Sequence, residues 1–249
     1  MISTTVTPEN KKSTVSSPKR IARTAGVLYL VVAIFGAFAQ IVRQQVYVPG
    51  DATTSAANVV ASAPLVRLSF VADLVQATFA LFLVFVLFRL LQHVDRSQAR
   101  AMVIFVVLQV GITCLNMVHQ LGALLVATDP FYTAAFGTTG SDKLVLLLLD
   151  LHHNGFLVAQ IFFGLWLFPL GLLAYRSGMF PRPLGVVLMA ATVAYLLDVV
   201  LQFLAPVLAA TVNPLVIVVV TLSEVSMLAY LLVKGVKTPL PADRELVAT

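Results

Sequence analysis

Apolar residues in this chain fall in long runs and do not alternate with polar ones. A helix needs about 20 such residues to cross a hydrocarbon layer of ~30 Å. Six runs are long enough: residues 24–46, 65–91, 101–127, 144–175, 184–205 and 214–233. Lipid offers the backbone no hydrogen-bond partner, so a spanning segment is a helix or part of a closed barrel. Barrel strands would alternate every second residue, and these runs do not. The expected fold is therefore all-α, a polytopic bundle of six transmembrane helices. Residues 1–20 read as a disordered tail, 21–236 as the six-helix domain and 237–249 as a second tail.

The boundaries carry helix chemistry. Pro64 sits just inside the second span, with Ser62 as a candidate cap. Pro181 and Pro183 break the chain between spans four and five, and Asn213–Pro214 marks the start of span six. Pro169 predicts a kink inside span four, since it lacks an N–H and crowds the preceding turn. Residues 51–63, DATTSAANVVASA, predict a short amphipathic interfacial helix capped by Asp51 or Thr53. Residues 131–136 are aromatic-rich and predict a connection at headgroup level.

Composition agrees. Of 249 residues 59% are hydrophobic and 11% charged, against about 25% charged in soluble domains. The mean hydropathy is +0.97. Disorder and a nucleic-acid-binding domain are both disfavoured. The one cysteine, Cys114, excludes an internal disulfide and a cysteine-pair metal site. The first apolar run is too long for a signal peptide and reads as a retained helix.

Charge placement predicts orientation. Thirteen of the sixteen lysines and arginines fall in the two tails and the second and fourth connections, whereas Arg43, Arg67 and Lys143 fall on the other side. The positive-inside bias places both termini in the cytoplasm of a multi-pass cell (plasma) membrane protein. The basic excess then points to anionic lipid as partner and not to nucleic acid. Arg43 and Arg67 read as rim residues that snorkel to phosphates.

The informative residues are the ionisable ones inside spans, because lipid-facing charge is costly. They are Asp73, His119, Asp150, His152, His153, Asp198 and Glu224. Counting from the span ends at 1.5 Å per residue puts them at one level in the outer half of the membrane, ~9–16 Å deep. Partners at helical spacing support an inward polar face. Asn116 and Gln109 accompany His119, while Ser69 and Gln76 accompany Asp73. Tyr195 and Gln202 accompany Asp198, Thr221 accompanies Glu224, and Gln160 continues the stripe of span four. His152 and His153 cannot both face one pocket squarely, being ~100° apart on a helix.

Three chemistries fit this set. Asp73, His119, Asp150, His152, Asp198 and Glu224 together would bind a cation, a proton or a small polar ligand. His119, Asp150 and His152 would be the ligands of a divalent metal, the one cofactor such residues suggest, in a lipid-modifying hydrolase. The same groups would otherwise only fix helix packing in a structural or partner-binding subunit. No HExxH, Gly-rich phosphate loop or nucleophile elbow is present, so nothing decides whether the chain is an enzyme. Gly122, Gly155, Gly164 and Gly171 read as close-packing positions, and Trp166, Met102, Met117, Met189 and Met227 as packing residues.

Several segments together resemble a bacterial family of six-helix membrane proteins, domain of unknown function 4386. They are RIARTAGVLYL at residues 20–30, VPGDATTSAANVVAS at 48–62, RLSFVADL at 67–74 and LDLHHNGFLVAQIFFGLWLFPLGLLAYRSGMFPRPLGVVL at 149–188. The resemblance covers residues 20–237. It implies the six-helix topology and favours His152 over His153, and it implies no activity.

Overall fold

The computed structural model describes residues 17–237. Eight helices follow in order: α1 Pro18–Val46, α2 Ala52–Ala61, α3 Ala63–Leu91, α4 Arg96–Thr128, α5 Pro130–Leu165, α6 Leu167–Ser177, α7 Arg182–Leu204 and α8 Pro206–Val233. Taking α5 and α6 as one broken helix, six are long and apolar enough to cross a membrane. No strand occurs among the described residues. The all-α bundle expected from the apolar runs is thus what forms.

The short helix over residues 51–63 is present as α2. Asp51 is its cap, its carboxylate accepting from the Thr54 N–H at 2.9 Å and the Thr54 hydroxyl at 2.7 Å. The chain break inside span four is present too, at Trp166 between α5 and α6. Pro169 explains it, because its ring crowds the Leu165 carbonyl one turn back and offers it no N–H.

Several boundaries differ from the sequence reading. α1 begins at Pro18, inside the stretch read as tail; the rest of that tail and nearly all of the second lie outside the described residues. Ser62 makes no side-chain cap bond to α3. Residues 131–136 form the first turns of α5, which bends at Gly137, where φ is 69°, so the helix of span four begins well before residue 144. α8 starts at Pro206, so Pro214 lies inside the helix and not at its start. Membrane helices tolerate such a proline because neighbouring groups re-satisfy the freed carbonyl.

The chain enters and leaves at one end of the bundle, where Gly26 lies against the backbone of Leu231 and Leu232. The interior is two dry clusters with a polar belt between them. The larger cluster fills the terminal end, with Tyr29, Leu87, Met102, Leu170, Leu188 and Met227 among its members. The smaller one fills the α2 end, with Val46, Val59, Val66, Leu124 and Val145. Asp73, Gln109, Asn116, Gln120, His152, Gln160 and Asp198 are buried, and along their helices they fall between the two.

Close contacts at glycine bring the helices together around that belt. A Cβ on Gly171 would lie 2.6 Å from the Gly185 carbonyl, which fixes the α6–α7 crossing. A Cβ on Gly164 would lie 2.7 Å from that of Tyr195. Met102, Met117 and Met227 are fully buried, as expected of packing residues, whereas Met189 is only half-buried.

Candidate functional site

The polar belt borders two adjoining cavities. The larger, about 590 Å³, lies toward the α2 end and is lined in part by Gln40, Arg43, Gln120, His152, Gln160 and Asp198. The smaller, about 380 Å³, lies toward the terminal end and is lined in part by Tyr29, Val84, Trp166 and Glu224. Gly36, Gln40, Gln76, Phe163, Tyr195, Val220 and Thr221 line both. The larger volume falls in the usual range for small-molecule sites, about 300–1,000 Å³.

Arg43 is not a rim residue reaching for phosphates. Its Nη1 donates to Asp73 Oδ2 at 2.6 Å, and both side chains are largely buried. Its Nε donates to Gln40 Oε1 at 3.2 Å, and the guanidinium lies 5.4 Å from the centre of the Phe156 ring. A charge in a low-dielectric interior needs such a partner, and Asp73 on α3 supplies it.

Asp198 and Glu224 are held differently. Asp198 accepts from Gln160 Nε2 at 2.8 Å and from Asn213 Nδ2 at 3.0 Å. Glu224 accepts from the Tyr29 hydroxyl at 3.0 Å and the Tyr195 hydroxyl at 2.9 Å. All four donors are neutral. Among the described residues the ion pairs are Arg43–Asp73 and Arg176–Asp95, so neither carboxylate has a cationic partner.

His152 is buried and His153 is exposed, and both line the larger cavity. Asn116 Nδ2 donates to the His152 carbonyl at 2.7 Å, and the Asn116 carbonyl lies 3.3 Å from His152 Nδ1. The Asn116 amide fills the space where Gly155 has no Cβ. Asn116 Nδ2 lies slightly farther from Nδ1, at 3.4 Å, than the Asn116 carbonyl does, so we assign the proton to Nδ1, which leaves Nε2 an acceptor. That Nε2 has no partner. Gln120, 3% exposed, donates to Ser69 Oγ at 2.9 Å, and its Oε1 has no partner either.

The remaining predicted residues stand apart. Asp150 accepts from the Tyr47 hydroxyl at 2.6 Å, and Tyr47 also packs on the His153 ring. His119 Nδ1 lies 3.2 Å from both Asn116 oxygens. Neither Asp150 nor His119 lines a cavity. Among the described residues no three His, Cys, Asp or Glu side chains come together as metal ligands. The trio His119, Asp150 and His152 therefore does not fit a divalent ion, and no metal chemistry is derived from it.

The shared depth also needs correction. Asp198 is tied to Asn213, and Glu224 lies eleven residues further along α8, ~16 Å of helix rise. Counting from Pro214 had placed Glu224 too near the helix start. The acids thus form an upper group at the α2 end, Asp198 below it, and Glu224 toward the termini.

Residues the sequence reading had left out of the site are Arg43, Tyr29, Tyr47, Gln120 and Asn213. A signal for three of them was present. Tyr29, Gly36, Gln40, Arg43, Gln44 and Tyr47 recur at steps of three, four and seven, a polar stripe along one face of an apolar helix.

The fold and cavities define a multi-pass membrane helix bundle with an interior chamber lined in part by polar side chains. The chain belongs to the family described as Domain of unknown function (DUF4386), which matches residues 24–235. It is also 44% identical over 46 residues to an uncharacterized protein of Archaeoglobus fulgidus, covering 18% of this chain and 28% of that relative. The chain thus spans under a third of the relative's length. No solved structure matches.

Proposed function

We propose that this protein binds a cationic, hydrogen-bond-donating ligand in its intramembrane chamber, with its termini in the cytoplasm of a cell membrane. The observation that carries the reading is Asp198. It is 4% exposed, lines the larger cavity and is held by two neutral amides with no cation beside it. A carboxylate out of water is costly unless it is paired or protonated. A ligand cation or a proton completes it.

The unpartnered atoms around it support the same sign. Gln120 Oε1 and His152 Nε2 belong to cavity-lining side chains and both accept. A ligand suited to them brings donors, as an ammonium group does. Phe163 and Tyr195 line the cavity too, and aromatic rings attract cations. Arg43 does not oppose this, because Asp73 neutralises it. The orientation rests on the lysine and arginine bias.

The test is thermal unfolding of the purified full chain with butylammonium chloride or sodium butyrate. The expected result is a saturable rise in Tm with butylammonium alone, lost in Asp198→Asn. Equal effects of the two salts, or none from either, overturn the reading. Labelling single-cysteine variants at Thr54 and Lys237 in intact cells checks the orientation, only Thr54→Cys being reached from outside.

A further inference from the structure

The chamber is not closed on all sides. Among the described residues α8 packs on α1 and α7 and on no other helix. α1 and α8 meet tightly near the terminal end, where a Cβ on Gly26 would fall 2.8 Å from the Leu232 nitrogen. Toward the α2 end α1 lies on α2 and α3, while α8 follows α7. Gln40 and Gln44 on α1, with Ile217 and Thr221 on α8, are exposed and also line the larger cavity. Thr221 is fifteen residues into α8, ~22 Å from its start, so this edge lies along the spanning part of the helix.

Gln40, Gln44 and Thr221 are polar where a lipid-facing position would be apolar. The adjoining cavity shares Gln40, Gln76 and Thr221 with the larger one and is mainly apolar along its remaining wall. Its wall includes Val32, Ala33, Ala37, Val84, Val225 and Leu228. Its buried carboxylate, Glu224, already has both oxygens engaged by tyrosines. The two cavities adjoin beside Gly36, on which the Gln76 amide packs so closely that a Cβ would lie 2.9 Å from it. The compartment that holds Asp198 thus adjoins one whose own wall is mainly apolar, beside an opening that faces hydrocarbon.

From this geometry we infer that the ligand is a single-chain amphiphilic amine that enters from the bilayer between α1 and α8. Its ammonium group docks at Asp198 and its chain passes Gly36 into the apolar cavity. This rests on the cation-binding reading above and adds the tail and the route. An amphiphile dissolved in the membrane reaches such an opening without crossing water. A free amine without a chain fills only the head compartment.

Trp166 makes the tail visible. It is the one tryptophan of the sequence and it lines the apolar cavity. The full chain in nanodiscs is titrated with terminally brominated decylamine, and with brominated decanoate as control, while Trp166 fluorescence is followed. The amine is expected to quench saturably and the decanoate only by linear background. Butylammonium is expected to compete. Asp198→Asn should weaken quenching about tenfold or more, the loss of a charge-assisted hydrogen bond. Thr221→Phe, at an exposed position on the opening, should slow the onset several-fold, even if Asp198→Asn fails to fold.

Equal quenching by amine and decanoate overturns the amphiphile inference, and so does an unchanged onset in Thr221→Phe. If butylammonium still stabilises the protein in either case, the cation-binding reading stands. If neither amine binds, both fall.

Discussion

Arg43 on α1 donates from Nη1 to Asp73 Oδ2 on α3 at 2.6 Å, and the Asp73 side chain is only 4% exposed. Two charges are thereby removed from the surroundings as a neutral unit. Removing one partner leaves the other buried and uncompensated, which typically costs about 3–5 kcal/mol, whereas replacing both is far milder. Arg43→Met and Asp73→Leu should each lower the unfolding temperature sharply. The double variant should recover much of the loss. A double-mutant cycle on purified protein reads this directly, and additive losses would show that the pair does not act as a unit.

Gly155 carries a second dependence. The Asn116 amide occupies the volume a Cβ would need, and that same amide holds the His152 carbonyl at 2.7 Å. Gly155→Ala must push Asn116 away, at a cost of about 1–3 kcal/mol for overpacking. His152 would lose its anchor too. The expected outcome is lower stability together with weaker butylammonium binding. Asn116→Ala in the Gly155→Ala background should restore part of the stability and none of the binding. If stability is unchanged in Gly155→Ala, the contact is not as close as described.

What could be read from the sequence follows from the physics of each feature. The six spans were legible because hydrocarbon thickness sets a length that few other constraints imitate. α2 was legible because Asp51 precedes small apolar residues at helical spacing. The start of α8 was not, because Pro214 looks like a helix boundary in water and is tolerated within a membrane helix. That one displacement carried Glu224 to the wrong depth. Arg43 was misread for a different reason. Its position near a span end is what a snorkelling residue shows, and its partner lies thirty residues away on another helix. Asp150 and His152, two residues apart on α5, share a span but not a face, so their common level did not bring them into one site.

Asp51 gives a pH prediction outside the spanning helices. The Thr54 hydroxyl, then the Thr54 and Thr53 backbone N–H groups, hold its carboxyl below the ordinary value. The folded state therefore favours the charged form. Its contribution to α2 is complete above the unfolded value, about 3.9, and is lost as pH falls through the lower folded value. Protection of the Thr54 and Ser55 amides, relative to their intrinsic exchange rates at each pH, should fall as the solution is acidified through that window. Asp51→Asn keeps an acceptor for the cap and should show no such dependence. If the two proteins share one pH profile, Asp51 is not the titrating cap.

Glu224 joins three helices, through Tyr29 of α1 and Tyr195 of α7 to its own place on α8. Each tyrosine satisfies one carboxylate oxygen, so Tyr29→Phe or Tyr195→Phe leaves one oxygen buried without a donor. A lost hydrogen bond to a charged group typically costs about 1.5–3 kcal/mol. In the double variant both bonds to the one shared carboxyl are lost together. Its loss should therefore be smaller than the sum of the single losses. Tyr29 also packs edge-on to Trp166 with ring centres 6.0 Å apart. Trp166 fluorescence thus reports on this joint without any added label. Unfolding followed at that signal should show both single variants destabilised and the double variant less than additively so. If the losses are additive, Glu224 is not a shared acceptor for the two tyrosines. If neither single variant is destabilised, the three helices are held together here by packing alone.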